Sequence, residues 1–281
     1  GVAGFDLTVT GDMTIDAGGA VNMNHRGYGI SQGPGAGGSS YGAGAGGGYG
    51  GMGGDGASDY PPGYYQAGGQ SYGSVMTPIQ MGSGGGSAPG YSVIGGTGGG
   101  VVRLTVGGEL QVDGSITAQG QDGSVSGPYH GAGGSGGSVY LQVGALTGTG
   151  LIAANGGAGG GSATVRNGAG GGGRIAIYYT TDTFSGTITP CGGSGYQYGG
   201  AGTIYRKAST QTWGDLLVDN CGNAGAVTPA GTYTFDSVRV VNKAMLEIPA
   251  TVTVTMAPEV LTVDNDGEIV VAGQLLGGGG S

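Results

Sequence analysis

The chain has 281 residues, of which 76 are glycine and only 9% are charged, with a net charge of -9. Its Lys and Arg total 8 and never cluster, which excludes the basic footprint of a nucleic-acid binder or of a protein held on anionic lipid. Glycine does not recur at every third position as in collagen, no apolar run is long enough to span a bilayer, and the charge is too sparse for a charge-rich disordered segment.

The first element is 7–16, LTVTGDMTID, and it lies without a gap over 104–113, LTVGGELQVD. In the longer copy, 101–123, strict alternation places Leu104, Val106, Leu110, Val112, Ile116 and Ala118 on one face. The runs are short and rich in β-branched residues, so they read as strands, with Gly107, Gly108 and Gly114 where the chain bends. One such rung cannot bury its apolar face, whereas stacked rungs can, which is the logic of a solenoid.

Between these copies sits an insertion, residues 28–100, dense in glycine and holding half of the tyrosines. It reads either as a flexible loop or as a packed layer. In the second case extended, three-residue-per-turn glycine helices hydrogen-bond side by side, because their main-chain groups all point outward and need partners. Tyr41, Tyr49, Tyr64, Tyr65 and Tyr72 would cover its edges and supply surface contacts.

Further copies follow. Val139, Leu141 and Val143 open the next, which Leu146, Leu151 or Ile152, and Ala154 complete; then come Ile175, Ile177 and Tyr179 with Phe184 and Ile188. Ile204 with Trp213, Leu216 and Val218 forms the fifth, Val238, Val240, Leu246 and Ile248 the sixth, and Leu261, Val263, Ile269 and Val271 the last. The expectation is an all-β chain folded as a single domain over 1–281: a parallel β-solenoid (β-helix) of about seven rungs. Each rung has about 23 core residues, and the glycine tracts build a polyglycine II-type layer on one side.

Cys191 and Cys221 each follow a strand and precede glycine, so they fall at the same place in consecutive rungs, ~4.8 Å apart. They form either a disulfide, which implies an oxidising, extracellular setting, or a ladder of two buried thiols. The acids Asp182, Asp215, Asp219 and Asp236 are scattered singly, and His25 and His130 stand alone at the ends of rungs. The run Asp264-Asn-Asp266-Gly267 reads as a turn rather than a calcium loop. No cofactor and no catalytic centre are expected, and a non-enzymatic role follows.

The stretch GGSVYLQVGALTGTGLIAANGGAGGGS, followed by GGGGRIAIYY, resembles the glycine-rich repeats of very large bacterial surface and secreted proteins. The resemblance covers most of 104–202 and implies secretion and a structural or adhesive role. The insertion is also similar to the polyglycine II sandwiches of some phage tail-tip adhesins and glycine-rich antifreeze proteins, although the strict three-residue glycine period of the latter is not kept. The expected function is an extracellular structural protein that assembles head-to-tail with copies of itself into a filament or surface layer. The alternative is an adhesin whose tyrosine-rich insertion contacts glycans or another cell surface.

Overall fold

The computed structural model describes residues 4–59, 62–126, 129–161, 165–257 and 260–277. The fold is all-β and mostly parallel, with one 3-10 turn at Pro89–Tyr91 among the described residues. Its spine is a nine-stranded sheet that runs from Gly4–Val9 and Met13–Ile15 through Val101–Val112, Ser138–Thr147, Arg174–Asp182, Thr203–Ala208, Asp215–Asp219 and Ser237–Val241 to Leu261–Val263. The gapless match in the sequence is the register of its first strands: Leu7 pairs with Leu104, Val9 with Val106, Met13 with Leu110 and Ile15 with Val112. Leu141 and Ile177 continue the Leu104 row. A second parallel sheet, Ala20–Asn22, Ser115–Thr117, Leu151–Ala153 and Thr187–Thr189, stacks Val21, Ile116, Ile152 and Ile188.

These rows converge on a first core in which Leu104, Leu110, Ile116, Leu141, Leu146, Ile152, Ile175 and Ile177 are fully buried. Each such side chain contributes about 1.5 to 3 kcal/mol by leaving water. Of the two residues that could fill the third inward position, Ile152 is buried and Leu151 only half-buried.

The chain departs from a uniform stack after Ala208. Thr203–Ala208 and Asp215–Asp219 are antiparallel neighbours, with Ile204 opposite Leu217 and Tyr205 opposite Leu216. Trp213, expected inside a rung, stands at the tip of this hairpin and is exposed. Gly214, at φ +93°, makes the bend, and its N–H and that of Trp213 donate to the Asp236 carboxylate.

The reversal changes which face of the sheet is buried. Ile204 and Leu217 pack on the first core, while Tyr205, Leu216 and Val218 face the opposite side. There a second core forms from Phe235, Val238, Val240, Leu246, Ile248, Val254 and Met256. From Asp215 onward the chain passes three times through three parallel sheets in the same order. The central sheet comes first, then Thr228–Pro229, Met245–Ile248 and Glu268–Val271, then Tyr233–Phe235, Thr253–Met256 and Gln274–Gly277.

In the first half the glycine tracts leave from the ends of the second-sheet strands and return to the central sheet. They pack main chain against main chain. In 131–137 the N–H groups of Ala132, Gly133 and Gly134 donate to Gly86, Gly168 and Gln121, and those of Ser135, Gly136 and Gly137 donate to Ser83, Gly171 and Ala118. The direction thus repeats every three residues. The carbonyls of Ala132, Gly133 and Gly134 accept from Gly96, Gly47 and Gly157, so this one tract is bonded to six neighbouring segments. A Cβ at Gly133 would fall 2.0 Å from the Gly157 carbonyl oxygen, which is why the position holds glycine.

Cys191 and Cys221 are joined in a disulfide with their Cα atoms 6.0 Å apart. They do not occupy equivalent places: Cys191 follows the last strand of the second sheet, whereas Cys221, at φ +55°, follows Asp215–Asp219 of the central sheet. The hairpin has reversed the chain between them. The bond therefore ties the glycine-walled half to the half built of strands alone.

Candidate functional site

Among the described residues, short antiparallel pairs at the far ends of the glycine tracts lie next to one another. Tyr65 lies opposite Ala57 in a small antiparallel sheet, and Ala57 lies opposite Arg166. Arg166 donates to Asp59 and, at 2.9 Å, to the Tyr196 hydroxyl, and its guanidinium sits 4.5 Å from the centre of the Tyr196 ring. The rings of Tyr41 and Tyr64 are 6.1 Å apart and tilted. Gly90 lies against the Tyr41 ring, where a Cβ would come within 2.5 Å. Ile94 and Ser124 exchange hydrogen bonds of 2.8 and 2.9 Å.

Exposed apolar and aromatic side chains stand on these reversals beside the charged Asp59. Tyr41 is 57% exposed, Tyr65 61%, Ile94 54%, Val125 65% and Tyr196 55%. Tyr65 is held in place by its hydroxyl, which donates to Asp55 Oδ2 at 2.8 Å; that carboxylate raises the phenol above its ordinary range.

Tyr49 and Tyr72 are placed elsewhere, and Tyr49 is not a surface contact. It is fully buried, with its hydroxyl 2.6 Å from Ser138 Oγ and its ring 4.8 Å from that of Tyr72. Tyr72 is half-buried, with its hydroxyl bonded to Ser83 Oγ at 2.8 Å and to the Met81 carbonyl at 2.5 Å. Burial pushes both phenols up. Between them and the sheet lies buried Arg174, whose Nε donates to the Tyr72 carbonyl, Nη1 to Thr203 Oγ1 and Nη2 to Ser71 Oγ at 3.0 to 3.2 Å. Burial holds this guanidinium below its usual value, and it forms no ion pair among the described residues. These residues fasten the segment 71–83 onto the sheet, with Val75 set into the second core.

The acids weighed from the sequence hold turns and partners. Asp182 pairs with Arg206, and Asp215 accepts from Gln211 and Ser237. Asp219 accepts from Asn242 and from the Cys221 N–H, and Asp236 caps the hairpin. Asp264 to Gly267 is a turn, closed by the Gly267 N–H on the Asp264 carbonyl at 2.9 Å, with Asn265 and Asp266 in the left-handed region. His25, at φ +59°, is likewise a turn residue.

The sequence did not single out Tyr196, Ile94, Val125 or Arg166. The signal was there: each sits where one glycine tract gives way to the next, as Tyr41 does. Comparison of the chain with family models, with curated proteins and with solved structures finds no match.

Proposed function

We propose that this chain is a non-enzymatic extracellular structural protein that holds out an aromatic contact surface, an adhesin-like module for glycans or another cell surface. It is a β-solenoid of about seven rungs, four walled on one side by a polyglycine II-type layer and three walled by strands throughout. The observation that carries this reading is that Tyr41, Tyr65, Ile94, Val125 and Tyr196 are all exposed on reversals of the glycine tracts. Exposed aromatic and aliphatic side chains gathered on one surface mark a contact site. The three-residue repeat of hydrogen bonds supports the polyglycine II-type layer, since it gives such reversals a stiff base. The disulfide is compatible with an extracellular setting. The test is binding of the whole chain to a glycan array and to intact bacterial cells. Tyr41→Ser with Tyr65→Ser should abolish retention while leaving the thermal transition unchanged; retention equal to that of the unmodified chain contradicts the reading.

A second reading, assembly with copies of itself, rests on a separate observation. Leu261, Val263, Val270, Val271 and Leu276 are exposed on strands whose outer edges have no partner among the described residues. Such edges are templates for strand addition. Head-to-tail joining there would be antiparallel, repeating the contact between Thr203–Ala208 and Asp215–Asp219. Residues 1–3 and 278–281 lie outside the described residues. Negative-stain micrographs showing filaments that Val263→Lys abolishes would favour this reading, and particles that stay monomeric at all concentrations would contradict it.

A further inference from the structure

On the outer face of the central sheet, away from the reversals, strands Ser138–Thr147, Arg174–Asp182 and Thr203–Ala208 form an open groove of about 250 Å³. Register puts Gln142, Tyr178 and Lys207 side by side across the three strands, on the same face as Tyr140 and Tyr205. Thr180 and Ser209 line the groove beside them. Tyr178 is fixed: its ring meets those of Tyr140 and Tyr205 edge-on at 5.7 Å, and its hydroxyl donates to the Met76 carbonyl at 3.0 Å.

The charge of this groove is opposite to that of the chain. The protein carries -9 overall, yet no carboxylate lines the groove and Lys207 does. Lys207 forms no ion pair among the described residues. One of its three N–H donors is spent on the Thr212 carbonyl at 2.6 Å, which aims the ammonium and leaves two donors for a ligand. An amide, two hydroxyls and an aromatic wall around one ammonium match a sugar ring that bears a carboxylate. The groove is open and crosses three strands, which suits a chain of such sugars rather than a lone ion. We propose that it binds an acidic oligosaccharide, with a uronate carboxylate on Lys207 Nζ and the ring hydroxyls on Gln142, Thr180 and Ser209. This site is distinct from the contact surface and does not depend on it.

Trp213 is the single tryptophan of the chain and follows Thr212, the partner of Lys207, so its fluorescence reports on the groove. The whole chain is titrated with a β-1,4-linked tetramer of mannuronic acid and with its uncharged counterpart, mannotetraose, by fluorescence and calorimetry. The acidic tetramer should saturate the signal, with mannotetraose at least about tenfold weaker, as expected when a charge-assisted contact is lost. Gln142→Glu, which is isosteric and sets a carboxylate in the groove two strands from Lys207, should weaken the acidic tetramer by about tenfold or more with no change in the thermal transition. Lys207→Arg should retain binding, and Tyr65→Ser on the contact surface should leave it untouched. The proposal is overturned if the two tetramers bind alike, if neither binds, if Gln142→Glu has no effect, or if inorganic phosphate displaces the tetramer at equal concentration.

Discussion

The two halves of this molecule meet the same requirement with different materials. In 4–208 the long strand and the short strand of each turn bury aliphatic rows, and the remaining wall is glycine main chain bonded to glycine main chain. In 215–277 every wall is a strand, and the interior is filled by Phe235, Leu246, Ile248, Val254 and Met256. The strand-walled half is limited by side-chain volume. The glycine-walled half is limited by how closely main chains approach, and at positions such as Gly133 a single added methyl group has no room. Glycine carries the larger entropy cost of ordering, so the layer needs its dense hydrogen bonding to persist.

The largest expected effect comes from breaking that approach. Gly133→Val places a side chain where even a Cβ meets a carbonyl oxygen at 2.0 Å, and should destabilise the fold by roughly 4 kcal/mol or more, read from chemical denaturation. Gly11→Ala is its control, because nothing lies within 4 Å of that position; it should shift stability by less than about 0.5 kcal/mol.

Next comes the bond between the halves. Replacing Cys191 and Cys221 together by Ser opens a loop of 30 residues and should cost about 3 to 4 kcal/mol. It should also split calorimetric unfolding into two transitions, which a single unbroken transition would contradict.

A smaller effect separates the halves by pH. Tyr49 and Tyr72 fasten the glycine-walled half, and burial raises both above the usual phenol value of 10.0. A phenol with a raised folded value holds its proton more tightly when folded. The stability it contributes is complete below pH 10 and falls as pH rises past it. Tyr72→Phe should flatten this alkaline decline, measured as the thermal midpoint between pH 9 and about 11.

Much of the glycine-walled half was legible in the sequence because its strands alternate cleanly. The match of 7–16 over 104–113 is the register of the first strands, and Leu141 and Ile177, read as inward, continue the row. The hairpin was not legible. Leu216, Leu217 and Val218 are apolar in succession, so alternation does not say which face is buried, and both faces are, one on each core. Trp213 reads as part of the rung with Ile204, Leu216 and Val218, but the Gly214 bend and the Asp236 cap set it in the exposed connection. Tyr49 reads like its neighbours among the glycines; only the partners Ser138 and Arg174, far along the chain, make it a core residue. The contact surface was half legible, since Tyr41, Tyr64 and Tyr65 announce it and Tyr196 and Arg166 complete it from other tracts.

Native-state amide exchange will show whether glycine main chain forms a packed, hydrogen-bonded wall. The amides of 131–137, bonded to six surrounding segments, should exchange as slowly as those of the strand-walled core at 238–248. Exchange of 131–137 at the rate of an unstructured peptide, with 238–248 still protected, would contradict the account.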